Sequence, residues 1–166
     1  ELLPAIFADL ITALTFPRTM RWGESPVSFA RPIRWMLAMQ DDQPITFRVD
    51  GVTAGRLTRG HRFLAPGEVT VPHADAYLRV LEENHVLVEP EARREAIRQQ
   101  LHAIAQAEEA EIVDDGSLLE ETVYQVEFPT AVRCQIDESF LSLPPDLLVH
   151  VLCREQQLFP LTNRAG

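Results

Sequence analysis

Residues 45–63 read Ile-Thr-Phe-Arg-Val-Asp-Gly-Val-Thr-Ala-Gly-Arg-Leu-Thr-Arg-Gly-His-Arg-Phe. From Ile45 to Val49 apolar and polar residues alternate, the period of a strand with one face buried. Asp50-Gly51 follows, a pair suited to the two left-handed positions of a tight hairpin turn. A second strand is expected from Val52. If the alternation runs on, Arg59 and His61 share one face of a strand, and Gly60 and Arg62 share the other. Gly60, lacking Cβ, admits a close approach by another backbone or by a phosphate.

Outward from this hairpin, helices and strands intermix. Toward the N-terminus, Pro32 suits the first turn of a short helix over 32–39, with Ile33, Met36 and Leu37 facing inward. Leu3, Ile6, Phe7, Leu10 and Leu14 recur at steps of three and four, which predicts an amphipathic helix over 2–15. Phe16-Pro17 ends it, and Trp22-Gly23 with Ser25-Pro26 reads as loop. The chain opens at Glu1, inside that helix and without a Met, as a piece of a longer polypeptide would.

Toward the C-terminus, a strand at Glu68–Val71 precedes a helix over 74–84, and Val86–Val88 is a short strand. Pro90 starts the longest helix, 91–109, burying Ala92, Ile97, Leu101 and Ile104 and leaving Arg93, Arg94, Glu108 and Glu109 in solvent. Ile112-Val113 is strand-like, and Leu118–Val126 is helical until Pro129. Thr130–Ile136 reads as a strand, Pro144–Cys153 as a helix, and Leu158–Leu161 as a closing strand. No regular βαβ period appears, so the class is α+β, a mixed sheet with flanking helices in a single domain over 1–166.

Composition narrows the function. The 166 residues are 46% hydrophobic and 24% charged, as in ordinary globular chains. No apolar run approaches the length of a membrane span, and no signal peptide is visible. Cys134 and Cys153 have no CxxC spacing and are expected as buried free thiols of a reducing cytoplasm. The five histidines show no metal-ligand spacing, and no GxSxG, GxxxxGK[ST] or GxGxxG motif occurs, so no catalytic centre is expected in this region.

The net charge of −10 argues against a free-standing nucleic-acid binder, but it is unevenly spread. Residues 1–66 carry eight Arg against six acids; residues 67–166 carry seven Arg against nineteen. Every basic residue is Arg, which forks onto phosphate but is equally the product of a GC-rich genome. The acidic runs at 82–83, 108–111, 114–115 and 120–121 read as solvated faces. They would repel RNA, which confines any such contact to the N-terminal part. Gly55–Phe63 packs three Arg and one His into nine residues. One reading is an anionic contact, an RNA backbone above all. The other, favoured by composition alone, is pairing of these Arg with internal carboxylates. The Arg21-Trp22 and Arg34-Trp35 pairs offer a stacking platform for an unpaired base, although indoles are more often core. Arg31, at a helix start, would look for a partner in Asp41, Asp42 or another molecule.

Five separated stretches carry a family resemblance. Phe16-Pro-Arg-Thr-Met-Arg-Trp-Gly23, Phe29-Ala-Arg-Pro-Ile-Arg-Trp35 and Gly55 through Phe63 resemble serial motifs of the bacterial glycyl-tRNA synthetase β subunit. Leu118-Leu-Glu-Glu-Thr122 with Val126-Glu-Phe-Pro129, and Phe140-Leu-Ser-Leu-Pro144, resemble later stretches of the same family. The similarity departs at Cys153-Arg-Glu-Gln-Gln-Leu-Phe-Pro160, where the family usually has Met and two adjacent aromatics.

The resemblance implies a cytoplasmic partner, the α subunit or a fused catalytic region, holding the class II site for glycine, ATP with Mg and the tRNA 3′ end. The β subunit would supply recognition of tRNA-Gly, and its N-terminal portion resembles the editing module of the bacterial phenylalanyl enzyme's β subunit. A glycine pocket excludes larger amino acids sterically, so editing has little motive. The region is therefore expected to be a non-catalytic tRNA-recognition and scaffold module, without a cofactor of its own. Arg59, His61 and Arg62 would touch tRNA phosphates, with Arg21 and Arg34 as flanking contacts. The alternatives are a structural brace of the β subunit or α–β interface, and a relic or active deacylase.

Overall fold

The computed structural model describes residues 2–23, 26–113 and 116–163. Ser25 of the expected loop and the Asp114-Asp115 run lie outside the described residues. The chain divides into two compact units, Glu1–His85 and Val86–Gly166. The sequence charge divides with them. Nine Arg and ten acids leave the first unit at −1, and six Arg and fifteen acids leave the second at −9.

The first unit opens with α1 (Leu3–Ala13), as its periodicity predicts, and none of its residues is fully buried. Phe7 sets its ring against Phe47, centroids 5.9 Å apart. The stretch expected as loop contains a small hairpin, β1 (Met20–Arg21) antiparallel to β2 (Ser28–Phe29). The Trp22 indole N–H donates to the Phe29 carbonyl at 2.9 Å.

The helix expected over 32–39 is absent. The segment forms two short strands instead, β3 (Met36–Leu37) and β4 (Met39–Gln40), the latter turning back onto β5 (Gln43–Pro44). The reason lies in β7 (Val52–Gly55), which takes β3 in parallel register, Met36 opposite Ala54. Ala38 N–H donates to the Gly55 carbonyl at 3.0 Å, and Ile45 N–H to the Ala38 carbonyl at 2.8 Å. Ladder partners supplied by distant chain override a helix propensity worth only tenths of a kcal/mol per residue, on the order of 0.7 at most.

The hairpin that opened the sequence reading is present. β6 (Arg48–Val49) pairs antiparallel with β7, and Asp50 and Gly51 both take positive φ, 49° and 80°. That is the mirror-type turn the Asp-Gly pair encodes. β8 (Leu57–Arg59) pairs antiparallel with β9 (Glu68–Thr70), with Arg59 opposite Glu68. A turn of 3₁₀ helix at Ala74–Ala76 leads into α2 (Tyr77–Glu83). Val49, Ala54, Thr58, Val71, Val80 and Leu81 are the buried residues of this unit. In place of one mixed sheet there are several ladders of two or three strands. Only β3-β7-β6 combines parallel and antiparallel pairing among the described residues.

In the second unit, α3 (Pro90–Ala107) packs on α4 (Ser117–Gln125) through a cluster of Ile97, Leu119 and Val123, flanked by Leu101, Val126 and Phe159. β10 (Ala110–Ile112) pairs antiparallel with β11 (Leu161–Asn163). Between them, α5 (Pro145–His150) runs into a wider π turn at Val151–Glu155. The strand expected at Val86–Val88 is irregular. Its carbonyls at Leu87 and Val88 are taken by the Arg93 guanidinium at 2.5 and 2.8 Å. The strand expected at Thr130–Ile136 has no strand partner among the described residues either. The Gln100 amide stands in for a ladder, donating to the Pro129 carbonyl at 3.0 Å and accepting from Ala131 N–H at 2.7 Å.

Three burial expectations fail with these strands. Ala92 is exposed, Arg93 and Arg94 are partly buried rather than solvated, and Cys134 is exposed with Cys153 half-buried. No described helix is long and apolar enough to cross a membrane.

Candidate nucleic-acid interface

The residues singled out from sequence all lie in the first unit. Arg59 ends β8, and its guanidinium meets the Glu68 carboxylate across the ladder at 3.4 Å, both side chains more than half exposed. The same guanidinium lies over the Trp35 ring, 5.7 Å from its centroid. Trp35, expected in the core, is 46% exposed. Trp22 is half-buried, so the two Arg-Trp pairs do not behave alike.

The strand does not continue to His61 and Arg62, so the expected alternation of faces stops at Arg59. The chain turns because Gly60 passes tightly against Asn84. A Cβ there would sit 2.7 Å from both Asn84 Cβ and the Asn84 carbonyl oxygen. The close approach that Gly60 permits is to backbone of its own unit. His61 N–H donates to the Asn84 carbonyl, and Ala65 N–H to the His61 carbonyl, each at 2.9 Å. His61 Nδ1 accepts the N–H groups of Phe63 and Leu64 at 3.3 and 3.2 Å. The imidazole is thus the internal brace of the turn. With Nδ1 used as an acceptor, the neutral ring carries its proton on Nε2.

Arg62 sits at the tip of this turn, exposed and without an ion pair among the described residues. Arg21 on β1 and Arg34 before β3 are likewise exposed and unpaired among the described residues. Arg31 pairs with neither Asp41 nor Asp42, and it is Arg56 that reaches the Asp42 carbonyl at 2.8 Å.

The second unit treats its arginines differently. Arg94 grips Glu120 with two hydrogen bonds, 2.8 and 2.7 Å, and also meets Glu91. The Arg94 bonds hold the Glu120 carboxyl below the usual carboxylate range, and Glu120 followed by Glu91 raises the guanidinium. Arg133 pairs with Glu108 at 2.7 Å and Arg154 with Glu121 at 3.9 Å. Arg93 donates to three backbone carbonyls. Asp137 is held low by the Ser139 hydroxyl and then by the Ser139 N–H. Glu108, Glu109, Glu111, Glu120 and Glu121 are exposed, and no described group of three or more His, Cys, Asp and Glu could hold a metal ion.

Sequence reasoning placed Arg93 in solvent and gave Phe63 no role of its own. Nothing in an Arg-Arg pair tells which member turns inward, and nothing in the motif tells that Phe63 stays 80% exposed.

The class this defines is an α+β region with exposed, unpaired arginines in a near-neutral unit, joined to a strongly acidic unit in which three of the five described arginines are held in ion pairs. The chain belongs to the glycyl-tRNA synthetase beta subunit family, whose profile it matches over residues 1–166. It is 43% identical over 164 residues to the glycine–tRNA ligase beta subunit of Moorella thermoacetica, covering 99% of this chain. The beta subunits of Thermodesulfovibrio yellowstonii and Desulforudis audaxviator are 38% and 43% identical over 166 residues, 100% of this chain. The chain spans 24% of the length of each of these relatives. The motif resemblance read from Phe16 to Pro144 is borne out.

Proposed function

We propose that this region is a non-catalytic tRNA-recognition and scaffold module of a glycine–tRNA ligase. Ligation of glycine to tRNA-Gly is then performed with ATP and Mg in an α subunit or fused catalytic region, in the cytoplasm. Both units serve as one module of a longer β subunit, with no cofactor of their own. Arg62 and Arg59 contact tRNA phosphates, with Arg21 and Arg34 flanking. His61 contributes Nε2–H and the shape of the turn. The α+β arrangement is taken as related to the editing module of the phenylalanyl enzyme's β subunit, which superposition on an experimental structure would test.

The observation that carries this reading is the exposure of Arg62, Arg21 and Arg34 with no carboxylate partner among the described residues. Arginines that forgo internal pairing in a chain of net charge −10 keep their forks for an external anion. The Arg59–Glu68 pair favours a second reading for Arg59 alone, a brace across β8 and β9.

Aminoacylation by the complete enzyme, with Arg59 and Arg62 changed to Ala, tests the proposal. Recognition raises the KM for tRNA while thermal unfolding stays in place. Activity and stability falling together would make the cluster structural.

A further inference from the structure

We infer that Phe63 is a base-stacking residue, its ring held out by the His61 turn to receive an unpaired nucleobase of bound RNA. This rests on the tRNA-recognition reading and names the part of the RNA that the site takes.

An exposed apolar side chain on a loose loop would mean little. Phe63 stands on a braced turn. The backbone N–H groups of His61, Phe63, Leu64 and Ala65 all have acceptors inside the turn or on Asn84. Gly60 has no room for a Cβ, so the base of the turn is fixed against Asn84. On that frame Phe63 is 80% exposed and Leu64 54%. The His61 ring is the aromatic neighbour of Phe63, 6.2 Å away between centroids. Trp35 is the other exposed aromatic described in this unit, and the Arg59 guanidinium lies over its ring.

The chemistry around the ring selects the occupant. Residues 51–67 contain three Arg, one His and no acid, and Arg62 precedes Phe63 with no ion pair among the described residues. A planar apolar side chain following an unpaired arginine in the chain matches a nucleotide, base on the ring and phosphate on the fork. Bases within a duplex have both faces covered by their neighbours, so the partner is a single-stranded or loop nucleotide.

The test measures RNA binding by fluorescence anisotropy at fixed salt, using the full-length chain. The probes are a tRNA-Gly transcript and a blunt RNA duplex of equal charge, and the variants are Phe63→Ala, Phe63→Leu, Phe63→Trp and Arg62→Ala. Loss of a base–aromatic stack weakens transcript binding by roughly 5- to 150-fold in Phe63→Ala and Phe63→Leu. Phe63→Trp restores it, and duplex binding does not change. If Phe63→Ala binds the transcript normally while Arg62→Ala is weakened, this inference falls and the arginine reading stands. If neither variant is weakened, both fall. Equal loss on transcript and duplex would exclude an unpaired base. Loss of association with the α subunit, with RNA binding intact, would make the tip a protein contact and overturn the inference. Phe63→Leu keeps an apolar side chain without a π face, so a folding defect peculiar to the alanine variant does not rescue the idea.

Discussion

Replacing Arg93 by Met would remove a guanidinium while keeping an apolar stem of similar length. Arg93 Nε donates to the Val123 carbonyl at 2.7 Å, and Nη1 to those of Leu87 and Val88 at 2.5 and 2.8 Å. Hydrogen bonds to a charged group contribute about 1.5–3 kcal/mol each, so three set an upper bound near 4.5–9 kcal/mol. The real loss is smaller, because Leu87 and Val88 are only half-buried and their carbonyls regain water, although Val123 is fully buried. The guanidinium's own desolvation is also relieved, and bonds from one side chain do not add. About 3 kcal/mol is expected, concentrated where the end of α4 meets the segment before α3. Amide hydrogen exchange on the full-length chain reads this locally. Protection of Leu87, whose N–H donates to the Glu127 carbonyl at 2.9 Å, falls by roughly 150-fold. Arg94→Ala is the comparison, since its carboxylate partners are exposed, and it lowers protection by about 5-fold or less. Arg93→Lys keeps the charge but loses the fork, and falls between. A change below about 5-fold in Arg93→Met would refute the claim that this side chain stands in for a strand.

Gly60→Ala forces a Cβ to within 2.7 Å of Asn84 and destabilises the chain by about 1–3 kcal/mol, read from the urea midpoint at unchanged slope. Glu120 has a lowered folded-state pKa, so its pairing with Arg94 is fully present above the unfolded carboxylate range. That contribution is lost as pH falls through the lowered value, and Glu120→Gln should flatten the acid limb of a stability–pH curve and leave the neutral and alkaline limbs parallel to the parent. Glu68→Gln frees the Arg59 guanidinium, and transcript affinity rises about 2-fold at low salt with a steeper salt dependence; weaker binding would show that Glu68 holds Arg59 in its working position.

What could be read from the sequence follows the range of the forces involved. Local signals held. The Asp50-Gly51 turn, the helix opened by Pro90 and the helix of 117–125 rest on residues within one or two turns of each other. The segment at 32–39 failed because its partner, β7, lies about one strand-turn-strand away and no local pattern announces a parallel docking. Val86–Val88 and Thr130–Ile136 have the composition of strands, yet Arg93 and Gln100 satisfy their backbones from a helix. At the candidate interface, the basic cluster was visible as composition. Its division into a paired Arg59 and an unpaired Arg62 depended on Glu68 sitting opposite Arg59, a matter of register. That His61 uses Nδ1 to accept two N–H groups of its own turn was not legible in the sequence.

The division of the chain at His85 also bears on how it is made. Every described ladder of the first unit, including the parallel β3–β7 pair, closes within residues 20–70. At about 5–20 residues per second, synthesis of residues 86–166 occupies the ribosome for roughly 4–16 s. Hairpins form in microseconds, on the order of 1–10. The arginine-bearing unit therefore has its contacts available for closure while the acidic one is still being translated. It can settle its own strand pairings before fifteen further carboxylates arrive to compete for its guanidinium groups.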